Sequence, residues 1–363
     1  MKKAVILAVA ITALFSSCRN NTLPPRPTIP LVESIVRDTS GLAAIVARAG
    51  NTSAGSIAII GEPGQAVALS RLFLSVDAKD NIDGREVRDS LPDFAGEQFD
   101  VILDVNNAPY GHFISEEIDS LRESAVHGAM FAWDSTCLKS SSSRQKVLKS
   151  RSKILVFCSP LHSAYGLFDV DTLQTLCGGR SRIFTPVEVT LADAVASGAS
   201  NIAVWASRAV KESGAYESAF AEFAQEGVVT SVTPEPALDI RTEFRSLLRQ
   251  YRETGLTMDA LVLSDYDIDT APLYLEIALI RLAGTEEDLA FSRMLSPGFV
   301  ILTPGASLTN AIYKYMRENN LFTHRISRPL ARWFETIESE AGEPAITEVS
   351  AAYVRSDYVQ DFD

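Results

Sequence analysis

The sequence predicts an α/β protein in which parallel sheets are covered by helices, and three observations carry the prediction. Short aliphatic runs recur as continuous stretches rather than in alternation, as strands buried on both faces should. Amphipathic helical stripes separate them. The 363 residues, 46% hydrophobic and 22% charged, suffice for one large domain or two smaller ones sharing a hinge.

The chain opens with a positive pair, Lys2 and Lys3, followed by an apolar run from Ala4 to Phe15. That run is too short to span a bilayer as a mature helix and has the make-up of an export signal. Ser16 and Ser17 lead directly into Cys18. Small residues before a cysteine resemble the lipobox of bacterial lipoproteins, which implies acylation at Cys18, with Phe15 standing where leucine is commoner. Acyl chains bury methylenes at roughly 0.8 kcal/mol each, so several chains hold a protein at a membrane. Pro24, Pro25, Pro27 and Pro30 follow, and residues 19–55 are expected to be a tether, its proline-rich start extended. The body is expected to be exported, in the periplasm or at the cell surface. Which membrane holds it is left open.

Strands are expected at Ile57–Ile60, Val101–Asp104, Ile154–Phe157, Ile202–Trp205, Val228–Thr233, Leu261–Leu263 and Phe299–Leu302. Tyr216, Phe220 and Phe223 share one helical face, as do Ile240, Phe244, Leu248 and Tyr251, and then Leu308, Ile312 and Tyr315. Ser140–Ser143 reads as an exposed loop. Ligands in such folds sit at the carboxyl ends of strands, so chemistry is sought in the residues just after each one.

Charge and cysteine usage narrow the partners. A net charge of -13 leaves no basic footprint for a phosphate backbone, so nucleic acid is not expected. A small carboxylate remains possible, because backbone N–H groups act locally. Cys137, Cys158 and Cys177 match no metal spacing, and their odd number leaves at least one thiol without an internal partner. A Cys137–Cys177 disulfide would leave Cys158 free. Asp265, Asp267, Asp269 and Glu276 have the spacing of calcium-loop ligands. Thr270 stands where that loop needs glycine, and no metal is expected.

The strand ends carry a resemblance. Asp104 begins a turn that runs to Pro109-Tyr110-Gly111. Cys158-Ser159-Pro160 follows the third strand candidate. Pro186-Val187-Glu188 comes next, then Ser207-Arg208 running on to Ser213 and Tyr216, and then Ser264-Asp265-Tyr266-Asp267. In order and spacing, from about Ile57 to Glu340, these motifs resemble glutamate racemase, of the aspartate/glutamate racemase superfamily. The resemblance implies two similar parallel-sheet α/β domains facing a cleft. The first would comprise residues 56–173 plus 269–340 and the second 174–268, with 341–363 a tail. It also implies catalysis without a cofactor, by two cysteines on opposite faces of the substrate α-carbon. Cys158 then falls on the first cysteine. Glu62, Asp104, Pro109, Tyr110, Gly111, Ser159, Ser207, Tyr266 and Asp267 fall on or beside substrate-binding positions.

Four motifs depart from the family pattern. Gly61 stands where the family has an aspartate, with Glu62 adjacent. Ser159 and Pro160 replace an Asn-Thr pair, Val210 replaces a threonine, and Asp265-Tyr266-Asp267 replaces the second Cys-Thr-His. With Asp265 as the proton partner of Cys158, the two bases are no longer matched. An ordinary thiol near ~8.5 and an aspartate near ~3.9 differ by about 6 kcal/mol in proton affinity. Burial could narrow that gap by up to ~3–5 units. Two functions are therefore expected. The favoured one is a degenerate racemase-like lipoprotein that binds a small carboxylate or amino acid with little or no racemase activity. The alternative is an active cofactor-independent racemase or related one-cysteine enzyme on glutamate or a similar acidic substrate.

Overall fold

The computed structural model describes residues 27–38, 41–50, 53–114, 117–223, 226–323 and 325–358. Cys18, and with it the predicted lipobox, lies outside the described residues.

Two sheets organise these residues. The first half runs from helices α1 (Pro30–Arg37) and α2 (Leu42–Ala47) through β1 (Ser56–Gly61), α3 (Pro63–Ser75), β2 (Gln98–Leu103) and α4 (Ile118–Trp133). It continues through a short hairpin, β3 (Thr136–Leu138) and β4 (Lys146–Leu148), to β5 (Ser152–Phe157), α5 (Pro160–Tyr165), α6 (Leu167–Cys177) and β6 (Arg182–Phe184). The second half holds α7 (Pro186–Ala196), β7 (Asn201–Trp205), α8 (Arg208–Ser213), α9 (Ala215–Phe223), β8 (Val228–Val232), α10 (Ile240–Arg252), β9 (Met258–Leu263), α11 (Ala271–Arg281), α12 (Glu286–Met294) and β10 (Leu295–Leu302). The chain then returns to the first half with α13 (Pro304–Glu318), β11 (Leu330–Glu338), β12 (Pro344–Val349) and α14 (Ala351–Tyr358).

The large sheet has the order β4-β3-β12-β11-β2-β1-β5-β6 and the small one β10-β9-β7-β8. Within each half the four principal strands repeat one order. The second strand to form lies outside the first, and the third and fourth lie on its other side: β2-β1-β5-β6 and β8-β7-β9-β10. All these neighbours pair in parallel. Each half therefore has a topological switch point beside its first strand, between β1 and β5 in one and between β7 and β9 in the other. Ligand crevices form at such points.

All seven predicted strands are present. β1 and β5 are buried along their whole length, as their unbroken aliphatic runs require. Successive residues feed opposite cores. Ile57 and Ile59 join Phe73, Phe99 and Leu308 on one face of the sheet, while Ala58 and Ile60 join Val126, Trp133 and Phe157 on the other. Many strand ends pass into a helix through a capping residue followed by proline, as in Ser159-Pro160, Thr185-Pro186 and Thr303-Pro304, each with its side-chain oxygen accepting a backbone N–H of the helix's first turn.

Four boundaries differ from expectation. The expected tether over 19–55 contains two helices after Pro30, because Ile29, Val32, Ile35 and Val46 bury their side chains in the first core. The sheets divide the chain after β6 and after β10, since Arg182–Phe184 pairs with β5 and Leu295–Leu302 with β9, instead of at 174 and 269. The expected tail over 341–363 supplies β12, which pairs antiparallel with β11, and α14, whose Val354 is buried. The Ser140–Ser143 loop is the turn of the β3–β4 hairpin.

Candidate functional site

Gly61 ends β1 and Cys158 directly follows β5 at the switch point of the large sheet. Cys158 is fully buried. Its thiol donates to the carbonyl of Ile60 at 3.2 Å, and its backbone N–H donates to the same oxygen at 2.9 Å. A Cβ on Gly61 would stand 2.3 Å from the sulfur. The sulfur therefore fills the space that an aspartate at position 61 would need. Burial, with the charge of Glu62 second, pushes the Cys158 thiol well above its ordinary range. A proton held on sulfur, aimed at a carbonyl and without a neighbouring cation is the opposite of an activated thiolate.

Glu62 caps the start of α3, but its side chain serves another segment. Its Oε1 accepts the backbone N–H of Tyr110 at 2.9 Å. The amide of the Pro-Tyr-Gly turn, expected to receive a ligand carboxylate, is thus occupied by a carboxylate of the chain itself. Burial raises the Glu62 pKa, and the charges of Asp265 and Asp104 raise it further, against the lowering effect of the Tyr110 hydrogen bond.

Asp104 is buried just beyond β2 and accepts four hydrogen bonds. Tyr110 Oη donates to its Oδ2 at 3.0 Å, and Ser124 Oγ donates to the same atom. Asn107 Nδ2 and Thr336 Oγ1 donate to Oδ1 at 2.8 and 3.1 Å. These four donors are neutral, so Asp104 locks the Tyr110 ring, α4 and β11 together while its charge stays uncompensated by any of them. His162 lies beside Ser124 and packs its ring 4.4 Å from that of Tyr110. It is buried, which lowers its pKa to about 4 and keeps it neutral.

The second switch point supplies Ser207 after β7 and Asp265 after β9. Tyr266 bridges the two halves: its hydroxyl donates to the carbonyl of Cys158 at 2.8 Å. Asp265 is exposed, and its charge reaches Glu62, Tyr216 and Tyr266. Asp267 is also exposed, with Arg71 near it. Gly111 faces Ala209 of α8 closely enough that an added Cβ would touch the alanine methyl at 3.4 Å. Pro109, exposed, follows a cis peptide bond in the same turn. The structure thus gathers Glu62, Tyr110, Cys158, Asp265 and Tyr266 around one junction between the sheets. Ser159 and Ser207 point their Oγ atoms at the N–H groups of Leu161 and Val210 as helix N-caps. Asp104 stands one step away, behind the Tyr110 ring.

Other sequence candidates are used differently. Glu276, the last member of the calcium-like spacing, is buried against Arg245 at 2.6 Å. Asp269 caps Ala271. No cluster able to hold a metal occurs among the described residues. Cys137, Cys158 and Cys177 are free thiols, so the disulfide considered between Cys137 and Cys177 is not formed.

No family model matches the sequence, and no curated protein matches it. Solved structures do. The crystal structure of a glutamate racemase from Francisella tularensis in complex with D-glutamate superposes with a TM-score of 0.52, covering 85% of this chain and 95% of that one at 13% identity. A glutamate racemase isoform from Bacillus anthracis gives 0.50, with 78% and 89% covered at 14% identity. The fold is that of the glutamate racemases. The mixed α/β architecture with parallel-dominated sheets, expected from the strand pattern, is the one observed. At Pro109-Tyr110-Gly111 and Cys158, two of the positions from which the resemblance was read, the local partners are Glu62 and the Ile60 carbonyl.

Proposed function

We propose that this chain is a membrane-anchored lipoprotein with a racemase fold that binds a small amino acid or carboxylate and carries out little or no racemisation. The observation that carries this is the state of Cys158. Its thiol is buried, donates to a main-chain carbonyl and has the Glu62 charge instead of a cation near it, which disfavours the thiolate that racemisation would need. In the motif register Asp265 takes the place of the second cysteine, and a carboxylate is a far weaker base than a thiolate. The ligand class rests on the likeness to a racemase crystallised with D-glutamate and on the retained Pro-Tyr-Gly turn. For such a ligand to reach the Tyr110 amide, Glu62 must withdraw or be protonated. Attachment through Cys18 and export rest on the N-terminal sequence.

The test is solvent exchange. Purified protein incubated with L- and D-glutamate and aspartate in deuterated water should leave the α-carbon unlabelled, while at least one of these ligands raises the melting temperature. Deuterium incorporation that vanishes in Cys158→Ala would overturn the loss of turnover and establish the one-cysteine enzyme instead. For the anchor, metabolic labelling with a radioactive fatty acid should mark the wild type and not Cys18→Ala. Label retained in that variant would remove Cys18 as the attachment point.

A further inference from the structure

One helix in the outer layer of the small sheet turns an apolar face to solvent. α11 is amphipathic with its polarity reversed: its acidic residue, Glu276, is buried in an ion pair with Arg245, while Ala271, Tyr274, Leu275, Ala278, Leu279 and Leu282 are exposed. At about 100° per residue these six form one stripe, opposite the face that Leu273, Ile277 and Ile280 bury in the core. Leu282 is 77% exposed, Leu275 55%, Tyr274 52% and Leu279 43%. The stripe therefore offers roughly 500 Å² of apolar surface, in the range of patches that serve contacts on otherwise polar proteins.

The stripe is its own complement. In an antiparallel pair of α11 helices, a two-fold axis between Glu276 and Ile277 sets opposite one another the residues equally far from it. Leu282 then faces Ala271 of the other copy, Leu275 faces Ala278, and Tyr274 faces Leu279. In two of these pairs a large side chain meets a methyl, which lets the helices interdigitate at the ordinary separation of about 8–10 Å. Charge favours the same direction. Arg281 is exposed in the last turn and Asp269 is exposed just before the first. Antiparallel pairing brings each Arg281 within a turn of the other copy's Asp269, whereas parallel pairing sets like charges together. Two such stripes cover roughly 1,000 Å² in all, the size at which specific interfaces begin. A lipid surface carrying negative charge suits the face less, because Asp265, Asp267 and Asp269 precede the helix and Glu286 and Glu287 follow it.

We propose that α11 is a self-association face, through which two copies of this chain pair antiparallel about a two-fold axis. The contact uses none of Glu62, Cys158 or Asp265, so it is independent of the function proposed for their junction. Its modest area fits a reversible dimer rather than an obligate one.

Sedimentation equilibrium of the full chain should show monomer and dimer in exchange at micromolar concentration. Leu275→Lys and Ala278→Glu each put a charge on the stripe at an exposed position, where folding is spared, and each should weaken association about tenfold or more. Because position 275 of one copy faces position 278 of the other, an equal mixture of the two variants should recover association, lysine against glutamate. Leu238→Glu, at a fully exposed apolar position on the loop before α10, is the control and should leave the dimer as in the wild type. A wild type still monomeric at about 100 μM would overturn the proposal, all the more if it then sediments with phosphatidylcholine vesicles and Ala278→Glu releases it. So would association that both variants leave unchanged, which would place the contact elsewhere in the chain. A mixture no more associated than its components would refute the antiparallel register and, with it, the two-fold pairing.

Discussion

Replacing Gly61 by alanine tests the packing on which the Cys158 chemistry rests. The added Cβ would lie 2.3 Å from the sulfur, more than an ångström inside ordinary contact. The sulfur is enclosed by the core, so relief requires the β1 and β5 ends to spread, at about 1–3 kcal/mol for overpacking of this kind. In a Cys158→Ala background the nearest atom to the new methyl is the Cβ at position 158, 3.8 Å away, which is comfortable. Any strain from the Gly61 backbone angle of 158° is common to both backgrounds and cancels in the coupling. Urea denaturation of the four proteins should therefore give Gly61→Ala a cost about 1–3 kcal/mol smaller in the alanine background than in the wild type. Equal costs within about 0.5 kcal/mol would show that sulfur and glycine do not compete for one volume, and the account of the thiol would fail. The same geometry predicts that Gly61→Asp alone cannot install a working carboxylate.

Glu62 has a raised folded pKa, so the stability it contributes is full below the ordinary carboxylate range and is lost as pH rises through the folded value. Glu62→Gln keeps an acceptor for Tyr110, and its melting temperature should gain on the wild type between pH 4 and pH 7; a constant difference would contradict this. His162 should titrate by NMR with a midpoint of about 4, so its contribution to stability is present above about 6.5 and lost as pH falls towards 4. A midpoint near 6.5 would mean that the ring is not sealed behind Tyr110. Asp169→Asn removes the buried partner of Arg122, bonded at 2.8 Å, and should cost about 3–5 kcal/mol in denaturation. Because Asp169 also accepts the N–H of Ile29, amide exchange at Ile29 should accelerate in that variant, and unchanged protection there would count against the contact.

The strands legible in the sequence were those buried on both faces, where every residue is apolar. The ones it hid are short or half-exposed. β4 is Lys-Val-Leu with two exposed positions, and β11 mixes Arg332, Glu335 and Glu338 into its run, so neither period nor composition distinguishes them from loop. Cys158, Ser207 and Asp265 lie at the switch points because each closely follows a strand that borders one, β5, β7 or β9. Their partners were not legible. That Glu62 would occupy the Tyr110 amide, or that the Ile60 carbonyl would hold the Cys158 proton, depends on atoms far apart in the chain. The isoleucine and valine burial in residues 29–46 was a signal that could have been found, because Val32, Ile35 and Ile45 are poor choices for a solvated spacer.

The strand that flanks β2 is β11, drawn from close to the end of the chain, and β12 beyond it joins the β3–β4 hairpin to the rest of the sheet. As the chain is made, β2 therefore keeps a bare edge until residues 330–349 have been added, and the larger sheet closes only when that late segment pairs with it.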